Sequence, residues 1–363
     1  MPDVVDADTH IAESENMWKL LNEAMHPRRP IRLSVPTDTL YKDRNAFWLI
    51  DGNIFPKPAG KGSYNLMTPS LPGQEAARGG ATIPCRELTD IEGRLADMDR
   101  LGIAIQVIYP TLFLVYLTDD VDLEIALCKA YNRFIAEACS KARDRLRWVA
   151  VLPLRSIDQS IEEMRTAKKN RAVGVFFRGM EGSLTLDHPY FFPVYEEASR
   201  LDLPVCIHTG SGAPSLLALF DNERNSTFPH NRILPLIAFR DLVANKIPEL
   251  FPGLRFGFIE ASAGWIPYLV HVLRRLLREK WKFRSSADLF RDCRLYVACE
   301  ADEDIPYIAR YAGEDHILIG SDYGHSDPST ERQLVTTMRG SKDVSSDLIE
   351  KILCENPRRF YSL

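Results

Sequence analysis

The sequence has no surplus of basic residues: 45 Lys and Arg stand against 50 Asp and Glu, a formal charge of −5. Binding a phosphate backbone requires such a surplus, so nucleic acid is not an expected partner. Basic residues do gather at Arg274, Arg275, Arg278 and Lys280, but charges at helical spacing read as a solvated helix face. Paired thiols are missing as well. The seven cysteines (Cys85, Cys128, Cys139, Cys206, Cys293, Cys299 and Cys354) are odd in number and form no CxxC, which argues against a disulfide framework or a thiolate zinc site and for a reducing cytoplasm. The opening residues MPDVVDADTH lack the basic and apolar regions of a signal peptide. No run of about 18 apolar residues is present to span a bilayer. A soluble cytoplasmic protein with no membrane partner is expected.

What the sequence does hold is 45% hydrophobic and 26% charged residues in 363, ordinary values for a chain that buries a sizeable core without metal or disulfide staples. Short apolar runs rich in β-branched residues recur eight times: Val4-Val5 running into Asp8, then 104–109, 148–154, 172–177, 204–208, 255–260, 295–299 and 316–320. Several are apolar at nearly every position, as in parallel strands covered on both faces. Amphipathic helices are expected between them, over 88–101, 123–142, 157–169, 192–201 and 266–281. Eight such alternations predict one α/β domain over 1–363, a (β/α)8 TIM barrel. A doubly wound sheet would more often stop near six strands and open on a glycine-rich phosphate loop, which is absent after the first run.

Residues 26–84 break the rhythm. Proline, glycine and polar residues dominate there, with Trp48, Phe55, Tyr64 and Met67 interspersed. This segment is expected to be an insertion after strand one, serving as a lid, a surface excursion or a subunit contact. A smaller insertion, Ser211 to Asn245, follows strand five.

In a barrel the C-terminal ends of the strands share one cavity, so polar residues there are the candidates for chemistry. Asp8 and His10 end the first strand, His208 the fifth and Glu260 the sixth; Asp322 and His325 follow the eighth. Any one of these histidines alone reads as a packing residue. Together, three acids and three imidazoles at the strand ends would suffer repulsion and desolvation unless a cation neutralised them, and a divalent metal is the simplest solution. Asp8 and His10 share one side of an extended strand, whose side-chain period is two.

Four stretches resemble a known family: Asp6-Ala7-Asp8-Thr9-His10; 205–210 with the sequence VCIHTG; 258–265 with FIEASAGW; and Gly320-Ser321-Asp322-Tyr323. They are similar to the amidohydrolase superfamily, and within it to the amidohydrolase-related (amidohydrolase 2) branch that includes aminocarboxymuconate-semialdehyde and γ-resorcylate decarboxylases. The tail ENPRRFY at 355–361 resembles this branch's usual ending. The resemblance covers nearly the whole chain outside the insertions. It implies that Asp8, His10, His208 and Asp322 ligate a metal, with Asp322 also serving in proton transfer, and that the protein dimerises. Two departures stand out. Asp8 takes the place of the first histidine of the HxH that many members carry, and Glu260 takes the place of a catalytic histidine.

Glu13 adds a carboxylate near the mouth, either as a ligand or as a loop or helix-start acid. If Glu13, Glu260 and His325 all bind, the ligands suffice for two ions, with zinc, manganese or iron all compatible. Glu300 is a weaker candidate. Arg178 could clamp a substrate carboxylate or form an ordinary ion pair, and Trp265 could wall the pocket or simply pack. The leading expectation is a metal-dependent hydrolase or nonoxidative decarboxylase acting on a small organic acid, with Asp322, Glu260 and His208 as catalytic residues. A dinuclear iron or manganese/iron oxygenase is the alternative. A non-catalytic subunit paired with an active homologue is the third.

Overall fold

The computed structural model describes residues 4–39, 45–57, 66–71, 80–222, 232–326 and 328–363. Eight parallel strands follow one another in chain order. They are β1 (Val5–His10), β2 (Ile105–Tyr109), β3 (Leu146–Val151), β4 (Gly174–Arg178), β5 (Val205–His208), β6 (Phe256–Ile259), β7 (Leu295–Cys299) and β8 (Ile317–Ile319). Nearly every strand residue is buried, because helices cover the outside and side chains fill the inside. The ring closes just beyond β8. There Asp322 N donates to Asp8 O (3.0 Å) and His10 N to Tyr323 O (2.8 Å). Gly320 is required at this seam, since a Cβ there would lie 2.3 Å from that of Asp8. The barrel expected from the alternation of apolar runs is therefore the fold observed.

Boundaries shift where local chemistry decides them. The third strand ends at Val151 rather than 154, because Pro153 has no N–H to give a ladder. The first barrel helix starts at Ile91 rather than 88, where Asp90 accepts from Gly93 N, and Leu88 lies at φ 55°. The helix after β6 ends as α-helix at Leu277 and continues as a 3-10 turn over Arg278–Lys280.

Part of the first insertion is itself a sheet. Ile31–Ser34, Ala46–Ile50 and Asn53–Phe55 form three antiparallel strands, with Asp51-Gly52 turning the second hairpin at φ 49° and 80°. Trp48 is fully buried edge-on against Trp18 (6.0 Å). Its Nε1 donates to Thr68 Oγ1, which donates to the carbonyl of Glu13. Arg28 joins Asp51 (2.7 Å) to Asp120 (2.6 Å) at the start of the helix Val121–Cys139. Tyr64 lies outside the described residues. After β5, the helix Ile233–Ala244 that ends the second insertion is the helix of that βα unit. None of the described helices is long and apolar enough to cross a membrane.

Between two barrel helices, Glu197 accepts from Arg165 (2.6 Å) and from Arg200. The hydrogen bonds of Arg200 and then Arg165 outweigh burial and hold its carboxyl down at about 2. A depressed folded-state value makes this contribution present above the unfolded value near 4.5 and lost as pH falls through about 2. Both arginines are half exposed, so screening limits the effect to about 1 kcal/mol. Urea denaturation of Glu197→Gln is expected to show that deficit at pH 7 and none near pH 2; an equal deficit at both would contradict it.

Candidate metal centre

The mouth of the barrel gathers six of the candidates. Asp8, His10, His208 and Glu260 can each direct one ligand atom to a common point, and so can His10, Glu260, Asp322 and His325, all such atoms lying within 4.8 Å of one another. The β1 register against β2 slips by one between Asp6 and Thr9, a bulge at the ligand-bearing end. Even so, Asp8 and His10 both face inward, with His10 Nε2 3.5 Å from Asp8 Oδ1. Glu260 follows β6 at φ 52° and Asp322 follows β8 at φ 55°. Each left-handed residue costs on the order of 1 kcal/mol, an expense that aims both carboxylates back over the barrel axis.

The imidazoles are oriented by carbonyls. His10 Nδ1 lies 2.8 Å from Pro110 O and His208 Nδ1 3.0 Å from Thr209 O. A carbonyl only accepts, so both Nδ1 atoms carry hydrogen, and each ring in its neutral form presents an Nε2 lone pair to the cluster. His10 Nε2 then faces Glu260 Oε2 at 3.4 Å and Asp322 Oδ1 at 3.5 Å, and His208 Nε2 faces Asp8 Oδ1 at 3.4 Å and Glu260 Oε2 at 3.3 Å. Buried lone pairs pointed at buried carboxylates repel without a cation between them. His10 Nε2 and Glu260 Oε2 are shielded from solvent yet find no hydrogen-bond partner among the described residues. A tetrahedral ion with bonds of about 2.1 Å spaces its ligands about 3.4 Å apart, so the residues fit a divalent metal.

The surrounding charges agree. Where no ion lies between them the positive charge falls on the side chains instead: burial pushes the Glu260 carboxyl up, but the approach of His10 and positive charge on His208, His10 and Arg232 outweigh it and hold it well below the usual range. His208 is raised, because Asp8 and Glu260 overcome the lowering by burial. Beneath them, Asp6 is pushed up to about 7 by burial despite accepting from Ser321 N (2.8 Å) and Oγ (2.6 Å).

The other candidates take other places. Glu13 lies outside both ligand groups; its two oxygens accept from Thr111 N (2.9 Å) and Leu112 N (2.8 Å), and burial pushes it up to about 8. Glu300 accepts from Ser262 Oγ (2.9 Å) and pairs with Arg232 (3.3 Å). Arg178 is gripped by Glu181 and donates to Val115 O (2.8 Å). It lines a cavity with Phe113, Tyr116, Val151 and Phe176. Trp265 packs on Phe239 (5.1 Å) and Phe258 (5.8 Å), its Nε1 donating to Ser262 O (2.8 Å).

Two residues the candidate set omitted bear on the centre. Thr111 contacts His325, with 2.8 Å from Oγ1 to Nε2. Arg94, fully buried, donates to His10 O (3.1 Å) and to Thr9 Oγ1 (3.1 Å). Arg94 was discoverable, because with Ile91 and Met98 it completes an i, i+3, i+7 stripe on the inward face of its helix.

The profile described as "Amidohydrolase" matches residues 80–363. Among curated proteins, γ-resorcylate decarboxylase of Rhodococcus jostii (strain RHA1) is 30% identical over 132 residues, 33% of this chain and 40% of that protein. The 6-methylsalicylic acid decarboxylase of Penicillium expansum is 24% identical over 215 residues, 56% of this chain and 65% of that protein. The match thus spans 40% to 65% of the length of these two relatives. Solved structures share the fold. An amidohydrolase from Mycobacterium avium subsp. paratuberculosis K-10 superposes with a TM-score of 0.75 at 18% identity, covering 99% of both chains. The 5-carboxyvanillate decarboxylase of Novosphingobium aromaticivorans DSM 12444, complexed with manganese and a nitrobenzoic acid, gives 0.68 at 17% identity over 100% of this chain and 96% of that one.

Proposed function

This chain belongs to the amidohydrolase family, and we propose that it is a divalent-metal-dependent hydrolase or nonoxidative decarboxylase of a small organic acid. The observation that carries this is the buried set of three carboxylates and three imidazoles, with the Nε2 lone pairs of His10 and His208 turned inward. Asp8, His10, His208, Glu260 and Asp322 would hold the ion, with His325 beside Asp322 as a further ligand. A divalent ion there, zinc, manganese or iron, supplies Lewis-acid polarisation of a substrate carbonyl or carboxylate oxygen.

Proton transfer we assign to Asp322. Its Oδ2 accepts from Thr330 Oγ1 at 2.8 Å, which fixes the rotamer, while Oδ1 faces the cluster. Glu260, kept ionised by the imidazoles, contributes negative charge that makes the site harder than one with histidine there. Recognition of a substrate carboxylate by Arg178 would have to displace the contact with Glu181.

The similarity to γ-resorcylate and 6-methylsalicylic acid decarboxylases makes hydroxybenzoates the first substrates to try. Protein prepared without oxygen and loaded with manganese or zinc is expected to release carbon dioxide from 2,6-dihydroxybenzoate or 6-methylsalicylate, to stop on chelation and to recover on adding metal. Turnover that required air and a reductant would overturn this assignment.

One observation favours a second reading. The two ligand groups share His10 and Glu260 but differ in Asp8 and His208 against Asp322 and His325, which suits a dinuclear iron or manganese/iron oxygenase. Metal analysis of anaerobically purified protein separates the two, near one ion per chain for the first and near two for the second. A non-catalytic partner subunit would have no need to keep these acids buried around an ion.

A further inference from the structure

We infer that Thr111 is a positioning residue of the metal centre, fixing the tautomer and ring orientation of His325; this rests on the metal-dependent reading above. Thr111 follows β2 by two residues, is fully buried, and carries one hydroxyl hydrogen. That hydrogen goes to Ile11 O at 2.6 Å, because a carbonyl can only accept. The contact of 2.8 Å between Thr111 Oγ1 and His325 Nε2 must then run the other way, with Nε2–H donating to the hydroxyl oxygen. His325 is thereby set with Nδ1 turned inward, 2.7 Å from Asp322 Oδ1 and within the second ligand group. The ring cannot swing aside, since it stacks on His10 with centroids 3.9 Å apart at 21°.

Thr111 is itself held from both sides. Its N–H donates to Glu13 Oε1 at 2.9 Å, and the next N–H, of Leu112, donates to Glu13 Oε2 at 2.8 Å. Glu13 staples the loop after β2 to the loop after β1. Its own carbonyl accepts from Thr68, which accepts from Trp48 of the inserted sheet. A continuous set of hydrogen bonds therefore joins the insertion, through Glu13 and Thr111, to His325. Glu13 acts here through the main chain of Thr111.

Partners of this kind typically cost 10- to 100-fold in metal affinity when removed. The test uses the full chain and Mn(II) or Co(II) alone, with the dissociation constant and the Co(II) visible spectrum as readouts. Thr111→Val keeps the shape and removes the hydroxyl; Thr111→Ser keeps the hydroxyl and removes a methyl. Expected are about 10-fold weaker binding and an altered Co(II) spectrum for Thr111→Val, with both restored in Thr111→Ser. The metal-free melting temperatures of all three proteins check that each is folded. If Thr111→Val binds as the wild type does, or if Thr111→Ser is as impaired as Thr111→Val, Thr111 only packs and the inference is overturned. Failure of the metal-dependent reading looks different, since the wild-type chain itself would then bind neither ion.

Discussion

Asp322→Asn is expected to lower turnover by about 10³-fold while leaving the barrel folded. The size follows from its assigned role, as a positioned acid–base group contributes roughly 10² to 10⁴. The intact fold follows from its backbone. Asp322 sits at φ 55°, and asparagine tolerates the left-handed region as readily as aspartate. Its N–H bond to Asp8 O, part of the β1–β8 seam, involves only the main chain. The Oδ2 contact with Thr330 Oγ1 survives if the asparagine oxygen takes that position. What disappears is one negative charge facing His10 Nε2 at 3.5 Å.

This leads to a second, independent readout. Without metal, the cluster of Asp8, Glu260 and Asp322 is self-repelling, so the metal-free variant should melt no lower than the metal-free wild type. With metal the order reverses, because the variant gains less from binding. Residual activity within tenfold of wild type, or equal thermal stabilisation of both proteins by metal, would remove Asp322 from the centre.

Much of this centre was legible in the sequence because barrel geometry converts a position along the chain into a place in space. Asp8, His10, His208, Glu260 and Asp322 each end or follow a strand, and all the strands end at one mouth. His325 was accessible for the same reason. Glu13 shows where such reasoning stops, since proximity in sequence put it at the mouth but could not reveal two backbone N–H groups waiting for its carboxylate. Arg178 is similar; the partner that grips it, Glu181, comes from a two-residue strand just after β4. The inserted sheet escaped notice because its strands are short, with the first partly exposed, so neither a clean alternation nor a long apolar run announces it. Thr111 carries no signal at all, as a threonine after a strand is ordinary until the ring it holds is known.

Arg94→Met is expected to destabilise the protein by about 2–5 kcal/mol, from about 1–3 kcal/mol for each buried neutral acceptor it abandons. Arg94 is entirely buried, and desolvation pulls its guanidinium below its usual range. Among the described residues its hydrogen-bond acceptors include no carboxylate. Nε donates to Gln106 Oε1 (2.8 Å), Nη1 to His10 O (3.1 Å) and Cys85 O (3.4 Å), and Nη2 to Thr9 Oγ1 (3.1 Å). The guanidinium also lies 4.6 Å from the centre of the Tyr323 ring, the residue that bridges to Thr9 at the seam. One planar group thus ties β1, β2, the first barrel helix and the segment after β8 at the level of the metal ligands. Methionine fills the volume but leaves Gln106 and the His10 carbonyl without that donor, and each abandoned buried group costs about 1–3 kcal/mol. Lysine restores the charge but not the fork, so Arg94→Lys should recover only part of the loss. Urea denaturation of the metal-free proteins measures both; a deficit below about 1 kcal/mol for Arg94→Met would show that the seam closes without this arginine. Because two of its donors fall on Thr9 and His10, the same variant should also weaken Mn(II) binding, whereas a residue that merely filled space would lower stability and leave the affinity of the folded protein unchanged.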